Sequence, residues 1–162
     1  ASRGDVIAIE SPTYAMLFPL IRYYGLEVAE VPCGPDGMDL DTLSAILLKR
    51  NIRFIYTMPS FQNPTGATMP PESRERLLGL CERFQMILIE DSIEEEMKYF
   101  GRVHLPIKSM DHHGQVIYLG SFSKVLAPGM RTAWVIAPAN CIERMTAVKT
   151  MSDLSSDRKS VV

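Results

Sequence analysis

The chain predicts an α/β fold: a three-layer sandwich built on a mostly parallel central sheet. Three observations carry this. Short apolar runs alternate with helical patterns along most of the sequence, the rhythm of βαβ units. Two runs, Met86-Ile87-Leu88-Ile89 and Val116-Ile117-Tyr118-Leu119, have no charged position, as expected of strands covered on both faces. The residues with chemistry to offer follow strand ends, where ligands bind in such sheets.

Taken in order, Val6 to Ile9 is a short buried strand, and Tyr14 to Tyr24 reads as a helix ended by Gly25. Glu27 to Val31 is a second strand, followed by a turn at Cys33-Gly34-Pro35-Asp36-Gly37. Asp39 or Asp41 caps a helix reaching Lys49, and β-rich Arg53 to Met58 is a strand. A loop spans Pro59 to Pro70. Pro71 suits the first turn of a helix that runs to Phe84. The two apolar strands come next, the second delivering the chain toward Lys124. Ala133 to Ala137 is the last strand, and Asn140 caps a final helix to Met151. From Ser152 the sequence is polar, so residues 1–150 read as one domain and 151–162 as a tail or the start of a connection.

The 162 residues are 46% hydrophobic and 22% charged, with a formal net charge of -2, an ordinary globular composition that fits one domain. No apolar run approaches the roughly 20 residues of a membrane span, and no signal-peptide pattern opens the chain. The slight acidity leaves no electrostatic footprint for nucleic acid. Cys33, Cys81 and Cys141 are odd in number and form no CxxC pair, so they read as reduced thiols of a cytoplasmic protein. The absence of an initiator methionine marks a processed chain or a piece of a longer one. Glu94-Glu95-Glu96, beside Glu90 and Asp91, reads as a solvated helix start rather than a metal site. His112-His113 reads as surface, and no metal is expected. Met16-Leu17-Leu20 and Leu77-Leu78-Leu80 read as core stripes.

The candidate site centres on Lys124, in Ser121-Phe122-Ser123-Lys124-Val125-Leu126-Ala127-Pro128-Gly129-Met130-Arg131. A lone loop lysine is ordinarily just solvated. Here it lies between hydroxyl residues, and Pro-Gly can turn Arg131 back toward the same pocket. A lysine amine with nearby hydroxyls and a guanidinium is what pyridoxal phosphate needs: a Schiff-base partner and a phosphate site. Asp91, just past an apolar strand, is either a helix cap or the partner of a protonated pyridine nitrogen. Asn63, in Asn63-Pro64-Thr65-Gly66, is either a turn residue or a donor to a phenolic oxygen. Tyr14, in Ser11-Pro12-Thr13-Tyr14, either packs a helix or stacks on a cofactor ring.

These four segments occur in an order that resembles fold type I pyridoxal phosphate enzymes, specifically the class I/II aminotransferases. Leu105-Pro106-Ile107-Lys108-Ser109, with Gly114-Gln115-Val116 leading into Lys124, is similar to the branch containing the aminotransferase-like domains of MocR-type (GntR family) regulators. The resemblance runs to Val148. It implies that Lys124 is the Schiff-base lysine and proton shuttle, that Asp91 holds the pyridine nitrogen, and that Asn63 holds the phenolic oxygen. Ser121, Ser123 and Arg131 would bind the phosphate, with Tyr14 as the stacking ring.

The implied activity is amino transfer between an amino acid and a 2-oxo acid, in amino acid metabolism, by a cytoplasmic homodimer. The alternatives are the effector domain of a MocR-type regulator with a DNA-binding domain upstream, or another fold type I reaction such as elimination or decarboxylation. Residues 1–150 would then be part of the large domain. An upstream phosphate loop and a C-terminal domain with a substrate-carboxylate arginine would lie outside the sequence. One departure stands out. The family places a tyrosine two or three residues after the aspartate, donating to the phenolic oxygen. Here Ile93 takes that place and cannot donate, leaving Asn63 to hold that oxygen alone.

Overall fold

The computed structural model of the protein describes residues 1–97, 100 and 104–152. Seven strands form one sheet: β1 (Val6–Ser11), β2 (Glu27–Gly34), β3 (Gly37–Met38), β4 (Ile52–Thr57), β5 (Ile87–Asp91), β6 (Val116–Ser121) and β7 (Ala133–Ile136). Their spatial order is β3-β2-β1-β4-β5-β6-β7. The five inner strands pair in parallel, and the edge strands β3 and β7 are antiparallel to their neighbours. The expected mostly parallel three-layer architecture is therefore present.

The chain reverses its direction of travel across the sheet, moving outward from β1 to β2 and returning past β1 to β4. Because parallel crossovers are right-handed, this reversal puts α1 (Leu17–Tyr24) on one face and α2 (Leu40–Lys49) and α3 (Pro71–Phe84) on the other. The pleat sorts the side chains accordingly. Ala8, Ile55 and Leu88 pack with Leu43, Leu77 and Cys81 of α2 and α3. Ile7, Ile9 and Tyr56 pack with Ile21 of α1.

Several boundaries differ from the sequence expectation, each for a local reason. β1 continues to Ser11, and the Ser11–Pro12 peptide is cis. Tyr14 to Met16 then form a turn, with the Leu17 amide donating to the Tyr14 carbonyl at 3.0 Å. Helix α1 thus begins at Leu17, not Tyr14, and Tyr14 belongs to the strand–helix connection. The helix does end at Gly25, whose φ of 62° lets its N–H reach the Arg22 and Ile21 carbonyls. Met16 and Leu20 are 60% and 56% exposed, so of the first expected core stripe Leu17 alone packs against the core. Leu77, Leu78 and Leu80 are buried as expected.

The predicted turn at residues 33–37 is a hairpin that adds β3 to the sheet edge, pairing Cys33 with Met38 and Gly34 with Gly37. Asp39 is the cap of α2. Its Oδ1 accepts from the Asp41 and Thr42 amides at 3.0 and 3.1 Å. In α3 the fully buried Arg74 donates to the Met69, Pro59 and Leu105 carbonyls and to Ser60 Oγ, at 2.9, 3.0, 3.2 and 2.8 Å. One buried guanidinium thereby satisfies four acceptors and clamps the loop between β4 and α3. Within β6, Gly120 is fixed by crowding: a Cβ there would lie 2.2 Å from the Trp134 ring.

The final helix, α4 (Ala139–Ser152), starts from the Pro138 carbonyl, which accepts from the Cys141 and Ile142 amides. Asn140 therefore lies inside the first turn and does not cap it. Beyond Ser152 the expected polar tail falls outside the described residues. Among the described residues, no helix is long and apolar enough to cross a membrane.

Candidate functional site

Four parallel strands end on the same side of the sheet, and each delivers one predicted residue. Tyr14 follows β1, Asn63 follows β4, Asp91 closes β5 and Lys124 follows β6. A cleft there is lined by Tyr14, Met58, Asn63, Asp91, Ile93, Glu94 and Lys124. An adjoining cleft shares Tyr14, Ile93 and Lys124 and adds Ser121, Ser123 and Arg131. Every residue singled out in the sequence thus lies at this edge, at the point where the strand order reverses between β1 and β4.

Asp91 is the buried anchor, 6% exposed. Its Oδ2 accepts from Tyr56 Oη at 2.6 Å and its Oδ1 from the Ile93 amide at 3.2 Å. Burial raises its pKa, and these two donors oppose the rise. The Tyr56 phenol is itself pushed up, first by burial and then by the Asp91 charge. The sequence does not mark Tyr56 as a site residue. Strand alternation offers a hint and no more, since Ile55 must face α2 and α3 if Tyr56 faces the other way.

Asn63 rides on a loop fixed by its neighbour Gln62, which is 1% exposed. Gln62 Nε2 donates to the Pro12 carbonyl at 2.8 Å and to Glu10 Oε2 at 3.3 Å, while its Oε1 accepts from Thr65 N and Oγ1 at 3.0 and 2.6 Å. The same side chain therefore ties the Asn63 loop to the Pro12–Tyr14 connection. Beneath it lies Glu10, also 1% exposed, accepting from Thr57 Oγ1 and the Met58 amide. Burial pushes its carboxyl up to about 7, against the pull of its donors. Neither Glu10 nor Gln62 is legible in the sequence as part of a site, because each acts through a loop distant along the chain.

Lys124 is half exposed, and its Nζ lies 3.8 Å from Oε1 of Glu94, which is only 18% exposed. This corrects the reading of the acidic run as a solvated helix start. After β5 the chain turns back across the strand ends, so Glu94 lines the cleft and Glu95 is buried within a 3₁₀ turn, Glu95–Met97.

In the adjoining cleft, Ser121 Oγ donates to the Thr132 carbonyl at 3.3 Å and accepts from the Ser123 amide at 3.1 Å. Its hydroxyl shapes the turn, so an anion would claim its proton only by exchanging a long bond. Arg131 caps the 3₁₀ turn Pro128–Met130 in the left-handed region, φ 46°, which aims the chain back beside Ser123. An exposed cation, a half-buried hydroxyl and a turn are groups that could hold an anion. Beside them stand an amine, an amide side chain and a buried carboxylate.

The family profile for aminotransferase class I and II matches residues 1–156. Aromatic-amino-acid aminotransferase 1 of Thermococcus litoralis is 38% identical over 164 residues, covering 98% of this chain and 39% of that protein. The uncharacterized HTH-type transcriptional regulator YisV of Bacillus subtilis is 32% identical over 154 residues, covering 95% of this chain and 32% of that protein. The structure of LysN, an alpha-aminoadipate aminotransferase from Thermus thermophilus complexed with N-(5'-phosphopyridoxyl)-L-leucine, superposes with a TM-score of 0.91 at 36% identity. It covers 96% of this chain and 41% of that one. The chain thus spans about two fifths of the length of its aminotransferase relatives. With the fold, the strand-end cleft and the matched profile in agreement, the chain belongs to the class I and II aminotransferase family.

Proposed function

We propose that these residues form the cofactor-binding core of a pyridoxal phosphate-dependent aminotransferase that moves an amino group between an amino acid and a 2-oxo acid. The observation that carries the reading is the convergence of Lys124, Asp91 and Asn63 on one cleft, with Ser123 and Arg131 in the next.

The donor set fits the cofactor. A carboxylate raised by burial gains most from a cationic N–H, which a protonated pyridine offers. An arginine and a serine beside a turn suit a phosphate dianion. When bound, pyridoxal phosphate supplies an aldehyde that condenses with amines and a ring that withdraws electrons. The protein supplies the rest. Lys124 Nζ would be the nucleophile that holds the aldehyde and, once released, would take a proton from the substrate Cα and deliver it to another carbon. Asp91 would accept from the ring nitrogen and keep it protonated, while Tyr56 Oη donates to its Oδ2. Asn63 would donate its amide to the phenolic oxygen, and the Tyr14 ring, 40% exposed at the cleft mouth, would cover one ring face. Arg131 and Ser123 hold the phosphate, with Ser121 setting their turn.

Val125, Leu126 and Met130, beside Lys124, are 44%, 67% and 38% exposed, an apolar rim that a second subunit would cover. The reading therefore includes a homodimer, in the cytoplasm. A second reading follows from the similarity to an HTH-type regulator: the same core binding cofactor as an effector domain with little turnover.

Borohydride reduction of the intact, cofactor-loaded protein tests the assignment. The cofactor should be trapped on the peptide carrying Lys124 and be lost in Lys124→Ala; trapping on another lysine overturns it. Steady-state transamination separates enzyme from effector domain.

A further inference from the structure

We propose that Glu94 is the positioning partner of Lys124, holding its ammonium in the cleft by charge whenever that nitrogen is not covalently engaged. The inference rests on the reading of Lys124 as the cofactor lysine.

The geometry is asymmetric in an informative way. Glu94 Oε1 lies 3.8 Å from Lys124 Nζ, but the acid side chain is 18% exposed and the lysine side chain 50%. The acid is the fixed member of the pair. Its turn is tied at two points: the Ile93 amide donates to Asp91 Oδ1 at 3.2 Å, and the Glu95 amide donates to the Ser92 carbonyl at 3.1 Å. The lysine is the mobile member, on a long stem whose rotamer freedom would carry the amine into solvent. A proton shuttle loses its advantage when its nitrogen wanders from the reacting carbon.

The cleft's other carboxylate is already engaged. Asp91 accepts from Tyr56 and from the Ile93 amide, which leaves Glu94 as the acid facing the amine. Glu94 directly follows Ile93, the residue in the place of the family's donating tyrosine; a carboxylate only accepts, and here it faces an ammonium.

Competitive acetylation of the full-length protein stripped of cofactor provides the test. Lys124 labelling would be measured by peptide mass spectrometry and normalised to exposed Lys49. An amine paired with a carboxylate is a poor nucleophile, so Glu94→Gln should raise Lys124 labelling by roughly 1.4- to fivefold, the worth of a partly exposed pair. Glu94→Asp should fall between the two. In loaded protein, Glu94→Gln should lower kcat with little change in KM. Equal labelling of Lys124 in wild type and both variants would overturn the proposal. The outcome is separable from the cofactor reading, because borohydride trapping in the same preparations reports on Lys124 as cofactor lysine independently of the labelling ratio.

Discussion

Tyr56 Oη donates a 2.6 Å hydrogen bond to Oδ2 of Asp91, joining the end of one strand to the last residue of its neighbour. The pair is made by the parallel register of β4 and β5, which sets Tyr56 opposite Ile89 and Thr57 opposite Glu90. It leaves a buried carboxylate with a donor and a fixed orientation before any ligand arrives.

Tyr56→Phe removes that donor and leaves the packing. Asp91 should shift further toward its neutral form, because burial would be less opposed. A hydrogen bond to a charged group contributes roughly 1.5–3 kcal/mol. Cofactor affinity, read by absorbance titration, should weaken by at least tenfold; an unchanged affinity would detach Asp91 from the cofactor.

Arg131→Ala should act on the phosphate end alone. Loss of one charge-assisted contact, again about 1.5–3 kcal/mol, predicts a tenfold or greater rise in the Kd for pyridoxal phosphate. The Kd for pyridoxal, which has no phosphate, should barely move. Equal effects on both ligands would place Arg131 elsewhere.

Ile93→Tyr restores a donor where this chain has none. Ile93 lines both clefts, so a phenol there would face the proposed ligand. A donor to the ionised oxygen favours that form, and the visible absorbance midpoint of the loaded protein should fall by about one pH unit. If the midpoint stays where it was, Asn63 does not hold that oxygen alone.

The pH dependence of stability should carry the mark of Glu10. Its carboxyl is at about 7 in the folded chain against an ordinary 4.5, because burial disfavours the charge. Between those values the folded state binds the proton more often than the unfolded state, so stability falls as pH rises through the window. Glu90 has the same shift for the same reason and adds to the slope. Thermal melts from pH 4.5 to 7.5 should show a declining Tm, and Glu10→Gln should flatten part of the decline. Tm rising across this window would contradict the assignment.

Much of the fold is legible in the sequence because its signals are local. Runs such as Ile87-Leu88-Ile89, the Gly25 stop and the Asp39 cap each declare themselves within a few residues. The site residues are legible for a related reason: each strand end is a local event, and the motif order names which ends matter. The departures are equally local in cause. The start of α1 moves to Leu17 because the connection after Ser11 makes its own turn, with Tyr14 in it. The Cys33–Gly37 turn becomes a hairpin because an edge strand is available to pair.

Element order and the mostly parallel sheet follow from the amino-acid order, and the candidate roles of Lys124, Asp91, Asn63, Tyr14, Ser121, Ser123 and Arg131 from its resemblance to a family. Three relationships do not, and need the folded chain: Tyr56 supports Asp91, Gln62 links the Asn63 and Tyr14 loops, and Glu94 faces Lys124. The difference is one of range. Periodicity, capping and turn chemistry act over a handful of positions, whereas these three contacts join residues 35, 50 and 30 positions apart. They exist because the strand order and register bring separate strand ends together, and no local pattern encodes which ends will meet.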